Sequence, residues 1–257
     1  PVWQMTGEEF LFLSRHASVQ AEAQPAAASV NTEEPAATTQ AASTAEATAS
    51  STEAAADTAA STADVTTIKD GTLMVGVEIG YPPMEYCDTD GAAPIGFDVE
   101  VANALADYLG LELELVDTSW DGIFAGVDTG KYDCIISCVS ITDERKEQFN
   151  LTKPYVSNHT VLIVPNDSEI DSMDALNGHS TAVQAETTAD DYMKEHSAEL
   201  GAELFQYDKV INCFDDLKAG RTDSVFTDSV VAAYYLGDEA SNYKTVWEND
   251  ELEPIGH

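Results

Sequence analysis

Positive charge is what this 257-residue chain has least of: 11 Lys and Arg stand against 47 Asp and Glu, for a formal net charge of −36. Only three of the cations are arginines, Arg15, Arg145 and Arg221. Phosphate recognition needs clustered Lys and Arg to displace counterions, so nucleic acid is excluded as a partner. Docking on an anionic membrane surface is excluded on the same ground. Long apolar runs are missing too: no stretch of about 18 such residues exists, so no segment reads as a transmembrane helix. Cysteine is scarce, with Cys87, Cys134, Cys138 and Cys213 and no CxxC pair. Cys134 and Cys138 fall in what reads as one strand, YDCIISCVS, where four steps span roughly 13 Å. That is beyond disulfide reach, and the thiols read as small buried hydrophobes. Five histidines are scattered without HExxH or paired spacing. No metal site is expected, and nothing points to a cofactor.

What is present changes character along the chain. Residues 1–20 form a candidate short amphipathic helix, with Thr6 and Glu9 at capping-box spacing. They lack the basic start and small-residue cleavage site of a signal peptide. Residues 21–67 are almost entirely Ala, Thr, Ser and Glu with scattered Pro. Such a segment has too little apolar bulk to offset its ordering entropy and reads as a disordered tether.

Order is expected from Ile68. Strands are predicted at Leu73–Val77, Leu111–Val116, Cys134–Ser137 and Thr160–Val164, with helices over Trp120–Val127 and Asp143–Gln148. A further helix is capped by Asp98 and stopped by Gly110. The pattern then restarts. Strands Ser180–Val183, Ala202–Tyr207, Ser224–Phe226 and Tyr243–Trp247 alternate with helices Thr188–Glu199, Val210–Ala219 and Ser229–Leu236. Such alternation implies α/β architecture with parallel sheets covered on both faces. Two runs imply two Rossmann-like lobes, 68–164 and 165–248, with 249–257 returning as a strand toward the first. Ligands of such sheets sit beyond the carboxyl ends of the strands, so the cleft between lobes is the candidate site.

Two charged residues stand at those ends. Arg145 follows the strand Cys134–Ser137 through CVSIT, among the hydroxyls Ser137, Ser140 and Thr142, and a guanidinium there can clamp a carboxylate by two parallel hydrogen bonds. An internal salt bridge to Glu144, Glu147 or another carboxylate is the competing reading. Asp228 ends SVFTD and precedes a helix. It suits an N-cap, and equally an acceptor for an ammonium. Together they offer one group to each end of a zwitterion. Arg221 lies in a loop at the opposite end of its strand.

The stretches YPPMEY, DGAAPIGFDVEVANALADYLG, SWDGIFAGVDTGKYDCIISCVSITDERKEQFNLTKPY and RTDSVFTD resemble the polar amino-acid-binding proteins of bacterial ABC importers, solute-binding protein family 3. The resemblance implies the type II periplasmic-binding-protein fold, with a cleft between two lobes. It implies that Arg145 and Ser140 hold a ligand carboxylate, with Ser137 and Cys138 in neighbouring contact positions. Tyr81 would stack on the ligand side chain, Trp120 form an apolar wall, Glu78 read side-chain nitrogen and Asp228 take the α-ammonium. Thr187 and Thr188 would close from the second lobe. Glu186 stands where the family has glycine, so it is expected to point outward or to reshape the loop. The family's closing strand and C-terminal helices are not found before residue 257, so either a fragment or an incomplete first lobe is expected.

The function implied is capture of a polar, possibly basic, L-amino acid by a monomer that delivers it to the permease subunits of an ABC importer. The location implied is outside the cell membrane, in the periplasm or on a lipid anchor that this chain does not carry. Two alternatives use the same fold. One is an amino-acid-sensing domain of a receptor. The other is a dehydratase-like enzyme with Glu78 or Glu186 as acid or base. No nucleophile–base pair or phosphate loop supports catalysis, so an enzyme is not expected.

Overall fold

The computed structural model describes residues 65–89 and 91–257. The helix expected over 1–20 and most of the 21–67 tether lie outside the described residues. In chain order the elements are β1 (Thr72–Val77), α1 (Phe97–Leu109), β2 (Glu112–Asp117), α2 (Trp120–Asp128), β3 (Cys134–Ile135) and β4 (Val139–Ser140). Then come α3 (Asp143–Gln148), β5 (Val156–Asn158), β6 (Thr160–Pro165), β7 (Ser180–Gln184), α4 (Thr188–Leu200) and β8 (Glu203–Tyr207). The chain closes with α5 (Val210–Lys218), β9 (Ser224–Asp228), α6 (Ser229–Leu236), β10 (Tyr243–Glu248) and β11 (Glu253–Gly256).

These strands make three sheets. The first is parallel, in the order β2-β1-β3. β1 is buried on both faces, as a continuous apolar run in a central parallel strand must be. Leu73, Val75 and Val77 meet Val101, Ala102 and Ala106 of α1 on one side. Tyr132, Ile123 and Trp120 of the α2 region fill the other. The second sheet runs β10-β6-β9-β7-β8. Its central strands β6 and β9 are almost wholly buried, whereas the edge strand β8 alternates outward. The third sheet, β4-β11-β5, is antiparallel.

Three expectations change. The second sheet is mixed, because β6 is antiparallel to both β9 and β10. β6 therefore lies in the second sheet, and the chain changes sheets at His159, before residue 165. The predicted strand Cys134–Ser137 is also cut short. β3 ends at Ile135, and Cys138 turns through a left-handed φ of 45° before β4 begins in a different sheet.

The third change concerns Asp98, which does not cap α1. The cap is Gly96 at φ 127°, with no side-chain capping bond. Instead the carbonyls of Pro83 and Met84 accept the N–H groups of Phe97 and Asp98 at 3.0 and 2.9 Å. The YPPMEY loop, with its cis Pro82–Pro83 peptide, thus satisfies the orphan donors of the first helical turn. A Cβ at position 96 would run into the Met84 carbonyl, so only glycine permits this approach. The Asp98 carboxylate is freed to point inward, where it is fully buried.

Candidate functional site

The carboxyl ends of β1, β7 and β9 and the β3–β4 turn converge on one cavity. All ten sequence-selected residues line it: Glu78, Tyr81, Trp120, Ser137, Cys138, Ser140, Arg145, Thr187, Thr188 and Asp228. Glu85, Gln184, Ala189 and Thr227 complete the wall.

Arg145 is placed by the start of α3. Thr142 is the N-cap, and its hydroxyl accepts the Arg145 backbone N–H at 3.1 Å. The guanidinium lies over the rings of Phe124 and Trp120, at 5.0 and 5.5 Å from their centroids. It donates to the Ser140 carbonyl at 3.0 Å. Such ring faces and one carbonyl hold a guanidinium flat without neutralising it. Among the described residues no carboxylate forms an ion pair with Arg145, so the salt bridge to Glu144 or Glu147 is not made. Burial lowers its pKa from the ordinary value, against the opposing pull of Glu253 and Asp191. Arg221, by contrast, is spent on Asp216.

Asp228 occupies the N-cap position of α6 but makes no side-chain capping bond. Its carboxylate turns into the cavity, 7% exposed, and accepts the Tyr81 hydroxyl at 2.7 Å. Burial, with the nearby Glu253 charge, pushes its pKa up to about 7. No Lys or Arg among the described residues pairs with it. Tyr81 serves as donor to this carboxylate, in addition to presenting its ring.

A third polar group sits where β1 ends. Glu78 is 3% exposed and accepts the Gln184 amide at 2.8 Å from across the cleft. Its other oxygen, Oε1, has no donor, and neither has Gln184 Oε1. Burial raises the Glu78 pKa, while Gln184 and Lys209 pull it down. Two buried acceptors without donors are a demand for N–H groups.

The hydroxyls are more committed than their sequence positions suggest. Ser137 Oγ donates to Glu85 at 2.6 Å and accepts the Glu78 N–H at 3.0 Å. Thr187 is the N-cap of α4 and donates to the Gln184 carbonyl at 2.8 Å. Thr188 donates to Glu253 at 2.6 Å. The protons of all three hydroxyls are already used.

Glu186 is exposed, at a left-handed φ of 63°, with its carboxylate 3.9 Å from Lys194. It points outward, as expected, and stands at a conformation that glycine adopts without strain. Its backbone is part of the site's frame. The Glu186 N–H reaches buried Asp190 at 2.8 Å, and its carbonyl accepts the Trp120 indole N–H at 2.9 Å. Trp120 is thus wall and lobe-to-lobe link at once.

Gln184, Glu85 and Asp190 were missed by sequence reasoning. Gln184 had a usable signal, since it ends a buried apolar strand as Asp228 does. Glu85 had none, because its partner Ser137 lies 52 positions along the chain; Asp190 is tied to its own neighbourhood, to the Glu186 N–H and Lys194.

The two α/β lobes thus bring an arginine and an aspartate that form no ion pair among the described residues to one cavity. Residues 73–212 match the model of the bacterial extracellular solute-binding proteins, family 3. The chain belongs to this family.

Among curated relatives, it is 34% identical over 164 residues to the L-cystine-binding protein TcyJ of Escherichia coli strain K12, covering 63% of this chain and 60% of that one. It is 33% identical over 161 residues to ABC transporter arginine-binding protein 1 of the same strain, covering 63% and 65%. The matches thus span less than two thirds of those relatives' length. Solved structures agree with the fold. An ancestral arginine-binding protein bound to arginine superposes with a TM-score of 0.68 at 33% identity, covering 72% of this chain and 83% of that one. The ancestral amino acid-binding protein AncCDT-1, described as a precursor of cyclohexadienyl dehydratase, gives 0.66 at 35%, covering 72% and 80%.

Proposed function

We propose that the cleft captures an L-α-amino acid whose side chain carries N–H donors, outside the cell membrane, for delivery to the permease of an ABC importer. The observation that carries this reading is the pair of uncompensated charges. Neither Arg145 nor Asp228 forms an ion pair among the described residues, and both line one cavity. A zwitterion supplies both counter-charges: the α-carboxylate to Arg145, the α-ammonium to Asp228 and Tyr81. Charge-assisted bonds of this kind strengthen as closure removes water.

The side-chain end supports the choice of ligand. Glu78 Oε1 and Gln184 Oε1 both lack donors, and a guanidinium, an ammonium, an imidazole or an amide provides them. The relatives' names, cystine-binding and arginine-binding, are compatible, since cystine also carries an ammonium at its far end. The excess of 47 acidic over 11 basic residues draws cations toward the protein. Binding without catalysis is the reading we adopt. Glu186, one of two candidate acids, faces solvent, and Glu78 is tied to Gln184.

Thermal melts against a panel of L-amino acids, with ornithine and cystine, test this. A ligand at 100 times its Kd adds about 2.7 kcal/mol. For a domain of this size that is a rise of roughly 5–10 °C. The expected result is a rise with arginine, lysine, ornithine, histidine, glutamine or cystine. A cooperative melt that no amino acid moves would refute the proposal.

A further inference from the structure

Glu85 in the cavity wall and Asp98 behind it lie side by side without a cation. Glu85, from the YPPMEY loop, and Asp98, from the first turn of α1, are both 0% exposed. No Lys, Arg or His among the described residues forms an ion pair with either. Asp98 accepts the Cys138 backbone N–H at 2.5 Å and the Tyr155 hydroxyl at 2.8 Å. Glu85 accepts a single bond, from Ser137 Oγ at 2.6 Å, and its Oε2 has no donor.

Adjacent buried carboxyls do not both ionise, because each charge repels the other in a medium that solvates neither. The better-solvated member keeps the charge. Asp98, with two donors, is the carboxylate; Glu85, with an unsatisfied oxygen, carries the proton.

We propose that Glu85 and Asp98 share one proton and act as a positioning pair, holding the Ser137–Cys138 turn in the geometry that binds ligand. The inference rests on the solute-binding reading above. The route from pair to site is short. Ser137 links Glu85 to the Glu78 N–H. Cys138 is held at φ 45° by Asp98, with its sulfur 3.9 Å from the Asp228 carboxylate. The surrounding groups deepen the effect. Glu78 adds negative charge beside Glu85 and Asp228 beside Cys138, and Tyr155 and Cys138 are neutral, their pKa values raised by burial. His257, packed on Tyr155 at 5.4 Å between ring centroids, is uncharged, its pKa lowered to about 4 by burial. The nearest cations serve other groups: Lys209 binds the Ile79 carbonyl, and Arg145 lies on Trp120 and Phe124. Burial first, then the Asp98 charge, holds Glu85 well above the usual carboxylate range. Loss of the shared proton at alkaline pH places a second negative charge under the Ser137–Cys138 turn, where it is repelled by Asp98 and Glu78.

Glu85→Gln keeps the shape and a donor toward Asp98 while removing the titration. Ligand affinity is measured against pH by calorimetry for both proteins, and the ratio of their Kd values cancels the ligand's own ionisation. Toward alkaline pH the wild-type Kd is expected to rise relative to the variant, by about tenfold per pH unit once the pair titrates. A ratio constant with pH would overturn the proposal.

A ligand-free arm separates this from failure of the binding reading. A carboxyl whose folded pKa exceeds its unfolded value takes up a proton on folding, so its contribution to stability falls as pH rises between the two values. The melting temperature of Glu85→Gln minus that of wild type is therefore expected to grow over that window, whether or not any ligand binds. A difference that stays constant refutes the pair. If the variant does not fold, infrared spectroscopy of the wild type decides. A protonated-carboxyl band persisting above the Asp228 titration supports the pair, and its absence refutes it.

Discussion

Arg145→Ala is expected to weaken amino-acid binding by about 2–5 kcal/mol, the usual cost of truncating one partner of a buried, hydrogen-bonded charge pair. That is roughly 30- to several-thousand-fold in Kd. The ligand-free protein should scarcely notice. Arg145 holds no ion pair among the described residues and meets only the Phe124 and Trp120 rings and the Ser140 carbonyl. A guanidinium serving the fold would show the opposite pattern, with a large fall in melting temperature and a small change in affinity. Calorimetry on wild type and variant, with melts of both ligand-free proteins, distinguishes the two.

Asp228→Asn is expected to cost a similar factor, and its mark is the pH profile. The Asp228 carboxyl titrates at about 7, raised by burial and by Glu253. An ammonium binds the ionised form, so below that pH the proton must leave before the ligand can be held. Affinity should level off just above pH 7, up to the pH at which the Glu85–Asp98 pair titrates, and fall by about tenfold for each pH unit below 7. The sign is fixed: binding releases a proton on the acid side. In Asp228→Asn the affinity is lower and the acid-side fall disappears. Titrations in buffers of different ionisation enthalpy count the released proton directly. Proton uptake, or an unchanged slope in the variant, contradicts the assignment of Asp228 to the ammonium.

How much of this was legible in the sequence follows from where each residue's partners lie. β1, β6 and β9 were legible because a strand buried on both faces must be a continuous apolar run, and TLMVG, TVLIV and SVF are such runs. Asp228 and Arg145 were legible because a charge just beyond such a run has few structural uses. The mixed character of the second sheet was not legible. Strand direction depends on the path of the crossover at His159, which leaves no periodic trace. The break at Ser137–Cys138 was hidden for a related reason. Nothing local forbids the strand from continuing through Cys138, and what bends it is the Asp98 carboxylate 40 positions away. Asp98 itself misled, because a carboxylate in the first turn of a helix is the ordinary sign of a cap. Here the Pro83 and Met84 carbonyls have taken that task, and the acid is free to point inward. The hydroxyls of Ser137, Thr187 and Thr188 were correctly placed at the cavity, yet their protons go to Glu85, the Gln184 carbonyl and Glu253. Composition reveals which groups gather, and only geometry reveals which are already satisfied.

The central claim is that one ligand bridges Arg145 and Asp228 with its two α-charges. The most direct measurement is a calorimetric comparison of the most stabilising L-amino acid with the amine formed by removing its α-carboxylate and with the acid lacking its α-amino group. Each analogue keeps the side chain and deletes one counter-charge, so each should bind at least about 30-fold more weakly than the parent. For Arg145→Ala the parent and the decarboxylated amine should become nearly equal. Either analogue binding as tightly as the amino acid would contradict the claim.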